Sequence, residues 1–164
     1  MARQYQFLRG KESKSLIASR WLSYHGATLG TLSATGSIGR RKVYLPMLLD
    51  FPHIPPVFCY RCPDGKGCPG CGLPCAHELE AMIQKVGADK IAAFIAEPVV
   101  ASVGGAIVPP AEYFPIIRQI CDKYDVMLIF DEIVTGFGRT GKMWAADTFD
   151  TLPDILCMGK GISG

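Results

Sequence analysis

Val126-Met127-Leu128-Ile129-Phe130-Asp131-Glu132 is an unbroken apolar run closed by two acids. Alternating polarity would mark a strand with one wet face, whereas five successive apolar residues mark one buried on both faces, the habit of parallel sheets. Ser15 to Arg20, Lys90 to Ala96 and Asp154 to Met158 read as further strands of the same kind. Helical segments lie between them. Gly26 to Ala34 is opened by a glycine and closes near Gly36, and Glu78 to Val86 sets Leu79, Met82, Ile83 and Val86 on one face before Gly87 stops it. Pro110 to Tyr124 begins with proline, as first helical turns tolerate. Strand, helix, strand in this order implies parallel pairing through right-handed crossovers. The expected fold class is therefore α/β, a mostly parallel sheet with crossover helices. From about 46 to 76 the composition turns to proline, glycine and cysteine, an irregular excursion from the sheet.

The chain has 164 residues, 49% hydrophobic and 20% charged, a balance that supports a packed core and excludes a disordered tail. A net charge of +2 is far from the basic balance that marks nucleic-acid or anionic-membrane partners, so neither is expected. Its distribution is uneven: residues 1–42 carry eight Lys and Arg against one acid, and the rest carry nine against fourteen. Trp21, Leu22, Leu29 and Leu32 interleave the basic part as core residues do, which favours a basic lobe around an anionic ligand over a nucleic-acid arm. The uncharged stretch between Glu97 and Glu112 contains Gly104, Gly105, Pro109 and Pro110, where a membrane span needs about 20 mostly apolar residues. No membrane partner is expected, and with no apolar signal core at the N-terminus the expected location is cytoplasmic.

Three chemistries compete for the segment after the deciding strand. A dinucleotide fingerprint should sit directly at the strand end and open a helix, but Gly136 comes too late and Met143, Trp144 and Ala145 follow the last glycine. A phosphate loop from Gly136 to Lys142 would place Met143 where a hydroxyl must reach magnesium. The third chemistry uses Lys160, 29 residues beyond Asp131 at the end of the next strand. Ligand sites in open α/β sheets form at the carboxyl ends of strands, so Asp131 and Lys160 would face one crevice if their strands are near neighbours. An amine and a carboxylate converging there suit pyridoxal 5'-phosphate: the amine forms the Schiff base and the carboxylate keeps the pyridine nitrogen protonated. A surface lysine and a strand-end acid acting as a cap would have the same spacing, and spacing alone leaves both open.

Four segments, in order, are Ser23-Tyr24-His25-Gly26-Ala27-Thr28-Leu29-Gly30, Phe94-Ile95-Ala96-Glu97-Pro98, Asp131 through Gly141, and Pro153 through Gly161. Together they resemble the successive motifs of class III (omega) aminotransferases. The resemblance implies a PLP-transferase fold type I large domain, a homodimer, and transfer of an amino group between a small-molecule amino donor and a 2-oxo acid or aldehyde. It implies Lys160 as the Schiff-base lysine and Asp131 as the acid on the pyridine nitrogen. Tyr24 and Ile133 would cover the two faces of the cofactor ring, with His25 of the Tyr-His-Gly turn and Glu97 completing the cofactor-binding set. Val134 stands where many members carry glutamine, and Arg139 is expected to hold its loop. The family's phosphate-binding serine-glycine loop and the threonine that reaches a partner's phosphate match no part of residues 1–164. The chain therefore reads as an incomplete cofactor-binding domain, inactive alone.

Cys59, Cys62, Cys68, Cys71 and Cys75 place five thiols within seventeen residues. Paired C-x2-C units are candidates for zinc or iron–sulfur ligation, although the gap between the pairs is shorter than in most zinc ribbons. The competing reading is a loop of reduced thiols, and a metal-binding or interaction module built on this cluster is the alternative function.

Overall fold

A computed structural model describes residues 1–62 and 70–162. Five strands, β1 (Leu16–Arg20), β2 (His53–Ile54), β3 (Ile91–Ala96), β4 (Met127–Asp131) and β5 (Ile155–Cys157), form one sheet in the order β2-β1-β3-β4-β5. Every neighbouring pair is parallel. Six helices accompany it: α1 (Ala2–Leu8), α2 (Leu29–Ala34), α3 (Ile38–Arg41), α4 (Pro74–Val86), α5 (Tyr113–Lys123) and α6 (Ala145–Thr148).

Alternate residues of the central strands divide between the two faces. Phe94 and Ala96 of β3 and Leu128 and Phe130 of β4 enter the main core with Leu79 and Ile83 of α4 and Phe114, Ile117 and Ile120 of α5. Phe114 is the hub, edge-on to Phe130 at 4.7 Å and to Phe149 at 5.2 Å between centroids. Ala93 and Ile129 face the other way, against Ala2 of α1, with Ile17, Ile95, Met127 and Ile155 only partly covered. Gln6 ties α1 down, its side-chain amide donating to the Ala92 and Asp125 carbonyls.

The amino ends of the strands are closed by charge. Lys14 is buried, and its ammonium lies within 2.8–3.2 Å of the Ala88, Ile91, Tyr124 and Asp125 carbonyl oxygens. Arg9 and Lys11 both pair with the Asp125 carboxylate.

Three departures from the sequence reading have local causes. Leu73 takes a left-handed conformation (φ 51°), so Pro74 becomes the first helical residue and α4 starts four residues before Glu78. Ahead of α5, Pro110 opens a turn instead, its carbonyl accepting the Tyr113 amide at 3.1 Å, and the helix proper starts at Tyr113. Inside the proline-rich excursion, the Pro52 and Ile54 carbonyls accept the Ser19 and Trp21 amides, which makes His53–Ile54 an edge strand.

Candidate active site

Because all five strands are parallel, their carboxyl ends share one edge. Arg20 ends β1, Glu97 follows β3, Asp131 ends β4, and Lys160 lies three residues beyond β5. The β4–β5 register pairs Asp131 with Cys157, so the acid and the lysine segment stand on adjacent strands. Tyr24, His25, Glu97, Asp131, Ile133 and Lys160 all line a single cavity of about 190 Å3, joined by Gly26, Ser102 and Val134.

Asp131 is held from two sides. One carboxylate oxygen is 2.8 Å from His25 Nδ1, and the other accepts the Ile133 amide at 3.2 Å. His25 is buried, and its Nε2 has no hydrogen-bond partner among the described residues. Its own amide donates to Thr35 Oγ1 at 2.9 Å, which fixes the turn. Glu97 is buried with its carboxylate accepting the Tyr24 amide at 2.8 Å and the Ala101 amide at 3.3 Å. Burial pushes the Glu97 carboxyl up, opposed by the Tyr24 amide, His25, Arg20 and the Ala101 amide. The half-buried Tyr24 ring carries the Arg40 guanidinium 4.2 Å from its centroid.

Lys160 has φ 43°, a left-handed conformation uncommon for a side-chain-bearing residue, in a short 3-10 turn flanked by glycines. Space beside both glycines is tight. A Cβ on Gly159 would fall 2.8 Å from Ile133 Cδ1, and one on Gly161 would fall 2.9 Å from Phe137 Cδ2. The lysine turn thus rests directly on the segment that follows Asp131.

Glu132 anchors that segment. It is fully buried and accepts the Thr135 hydroxyl and the Ala145 and Ala146 amides, at 2.7–3.0 Å, capping α6. Lys142 donates to the Asp147 carbonyl at 2.7 Å, which ties it to the loop. Arg139 is exposed and borders a second, apolar cavity of about 380 Å3. The holding expected of it falls to Glu132, Lys142 and the Thr140–Thr148 hydroxyl contact.

Sequence reasoning overlooked Ser102, which follows a strand end with only small residues around it, and the roles of Arg20 and Glu132. Glu132 had a signal: the second acid of a strand-end pair faces inward when the first faces the crevice.

The cysteine candidates lie elsewhere. Cys68 falls outside the described residues. Cys59, Cys71 and Cys75 pack against the main core, and the Cys75 thiol is pushed up to about 11, by burial first and then by Cys59, Cys71 and Cys62. Among the described residues no group of three or more His, Cys, Asp or Glu is arranged to hold a metal ion.

Residues 1–164 match the family model described as Aminotransferase class-III, and the chain belongs to that family. It is 43% identical over 163 residues to taurine–pyruvate aminotransferase of Bilophila wadsworthia, covering 99% of this chain and 35% of that protein. Over 164 residues it is 39% identical to adenosylmethionine-8-amino-7-oxononanoate aminotransferase of Geobacter sulfurreducens, covering 99% of the chain and 36% of the relative. The fold superimposes on the omega transaminase of Pseudomonas jessenii in complex with PMP, with a TM-score of 0.92 and 37% identity over 99% of this chain and 36% of that one. The chain thus spans about a third of the length of the relatives it matches.

Proposed function

We propose that the complete protein is a pyridoxal phosphate-dependent transaminase, moving an amino group between an amino donor and a 2-oxo acid or aldehyde. The observation that carries this reading is the convergence of Asp131 and Lys160 in one cavity with an aromatic and an aliphatic wall. The residues fit the cofactor's ring: a buried carboxylate with both oxygens already oriented suits a protonated pyridine nitrogen, and Tyr24 and Ile133 suit its faces. When bound, the cofactor supplies an aldehyde for an amine and an electron sink for a carbanion.

Each side chain then has a defined task. Lys160 would hold the aldehyde and, once released from it, carry a proton to and from the substrate's α carbon. Asp131 keeps positive charge on the pyridine nitrogen, and His25 fixes the carboxylate's orientation. Tyr24 and Ile133 set the ring plane, so that the bond to be broken stands perpendicular to the π-system. Val134 offers no side-chain hydrogen bond to the phenolic oxygen.

The two relatives are named for different substrates, taurine and pyruvate for one and adenosylmethionine and 8-amino-7-oxononanoate for the other, at similar identity to this chain, and we place donor choice in other segments of the complete protein. Six apolar side chains, Ile38, Val43, Tyr44, Leu45, Met47 and Leu49, stand exposed within twelve residues, a strip suited to burial in a homodimer. Among the described residues no helix is long and apolar enough to cross a membrane, and the reading places the enzyme in the cytoplasm.

Borohydride treatment of the complete protein with bound cofactor, followed by peptide mapping, should fix the label on Lys160. A label on Lys142 would overturn the assignment. Residues 1–164 alone should bind the cofactor weakly and show no amino-acid-dependent conversion of a 2-oxo acid, since the serine-glycine phosphate loop of the family matches no part of them. Efficient turnover by this stretch alone would contradict that.

A further inference from the structure

Arg20 is the largest fully buried side chain among the described residues, yet it makes no ion pair among them. A charge in the core without a paired carboxylate is costly, and natural cores seldom keep one that serves no purpose. One guanidinium nitrogen, Nη2, donates to the Glu97 carbonyl, while Nε and Nη1 have no partner among the described residues. The guanidinium carbon lies 5.7 Å and 5.8 Å from the Tyr113 and Phe114 ring centroids, whose electron-rich faces partly offset its desolvation. Its main chain is fixed as well: the Arg20 carbonyl accepts the Ser23 hydroxyl at 2.7 Å, and a Cβ on Gly36 would sit 2.1 Å from that oxygen.

The bond to Glu97 has a return link. Arg20 grips the Glu97 carbonyl, and the Glu97 carboxylate takes the Tyr24 amide, four residues beyond Arg20. The last recorded β1–β3 partners are Ala18 and Phe94, so these crossed links continue the join past the ladder to the cavity wall.

We propose that Arg20 is a positioning residue, which sets Glu97 and Tyr24 against Asp131 from the core side and acts on the cofactor cavity without lining it. This rests on the transaminase reading above. Arg20 also places its charge near the Glu97 carboxylate, whose other titratable neighbours are His25 and, lining the same cavity, Asp131 and Lys160. Loss of the guanidinium charge removes one influence that favours the ionised Glu97.

The test compares Arg20→Met, Arg20→Gln and Arg20→Lys in the complete enzyme. Arg20→Met removes a buried charge that no carboxylate pairs while taking one donor from the Glu97 carbonyl, two opposed effects, so its melting temperature should stay near the parent's. Its kcat should nonetheless fall at least about tenfold through misplacement of the cavity wall. Its bound cofactor should show a weakened visible circular dichroism signal, and the acid limb of its pH–rate profile should move to higher pH. Arg20→Lys, which keeps charge and a donor, should recover most of the rate and the parent's acid limb. If Arg20→Met does not fold, Arg20→Gln carries the same expectation for the acid limb. Parent-like rate, dichroism and pH profile in the folded Met or Gln variant would overturn the proposal. A parent enzyme that retains no pyridoxal phosphate would instead overturn the transaminase reading.

Discussion

Lys14 and Arg20 are buried cations at opposite ends of β1, and they are held in opposite ways. The Lys14 ammonium sits among four carbonyl oxygens, with every donor directed at an acceptor, and it closes the turns after α4 and α5. The Arg20 guanidinium uses one nitrogen and leaves two idle among the described residues. Saturation of this kind is what a structural cation needs, because a buried donor without an acceptor costs about 1–3 kcal/mol. At the same carboxyl edge His25 Nε2 is also without a partner among the described residues. The contrast teaches that the two ends of one strand answer to different requirements, stability at the amino end and site geometry at the carboxyl end.

The comparison is tested hardest at Asp131. In the complete enzyme Asp131→Asn should fold and retain cofactor, yet lower kcat by on the order of 100-fold or more, because a neutral amide cannot hold positive charge on the pyridine nitrogen. Unchanged turnover in steady-state assays would remove Asp131 from that role. The converse holds at the other end: Lys14→Met should lower unfolding stability by about 3 kcal/mol, through carbonyls left without a donor, while kcat per folded molecule stays at the parent's value. Chemical denaturation together with activity measurement checks both halves, and a loss of kcat with full stability would erase the distinction.

A smaller effect is expected from Glu97. Its carboxyl is pushed up in the folded protein, chiefly by burial, so the native state holds this proton more tightly than the unfolded chain does. Stability must then fall as pH rises from the ordinary carboxyl range through the raised folded value. Glu97→Gln should flatten that fall in melting temperature, and an undiminished slope would assign it to other groups. The smallest effect belongs to the surface: Lys123→Ala breaks an exposed pair with Glu80 and should leave the melting temperature where it is.

How much of this was legible in the sequence differs by element. The strands β3 and β4 were, because burial on both faces forces apolar residues at consecutive positions, and their observed limits lie within a residue of the reading. The strand β2 was not, since two residues among prolines carry no period and its pairing depends on carbonyls that β1 seeks across the sheet. Asp131 and Lys160 could be nominated from their place at successive strand ends. Tyr24, Ile133 and Glu97 came only through the family resemblance, because no local rule brings a turn after β1 to an acid after β3. Arg20 was hidden by its chemistry: an arginine at a strand end reads as solvent-facing, and only the packed rings of Tyr113 and Phe114 show that it turns inward.

The β4–β5 register has a consequence for sulfur. It seats Cys157 beside Asp131, where burial first and the aspartate charge second push the thiol above its ordinary range. Sulfur attacks carbonyl carbon as the thiolate, so a thiol held protonated is a poor competitor for an aldehyde. Burial chiefly, and the Asp131 charge after it, therefore quiets the nucleophile next door. The pairing of two strands thereby sets how reactive a thiol in the sheet can be.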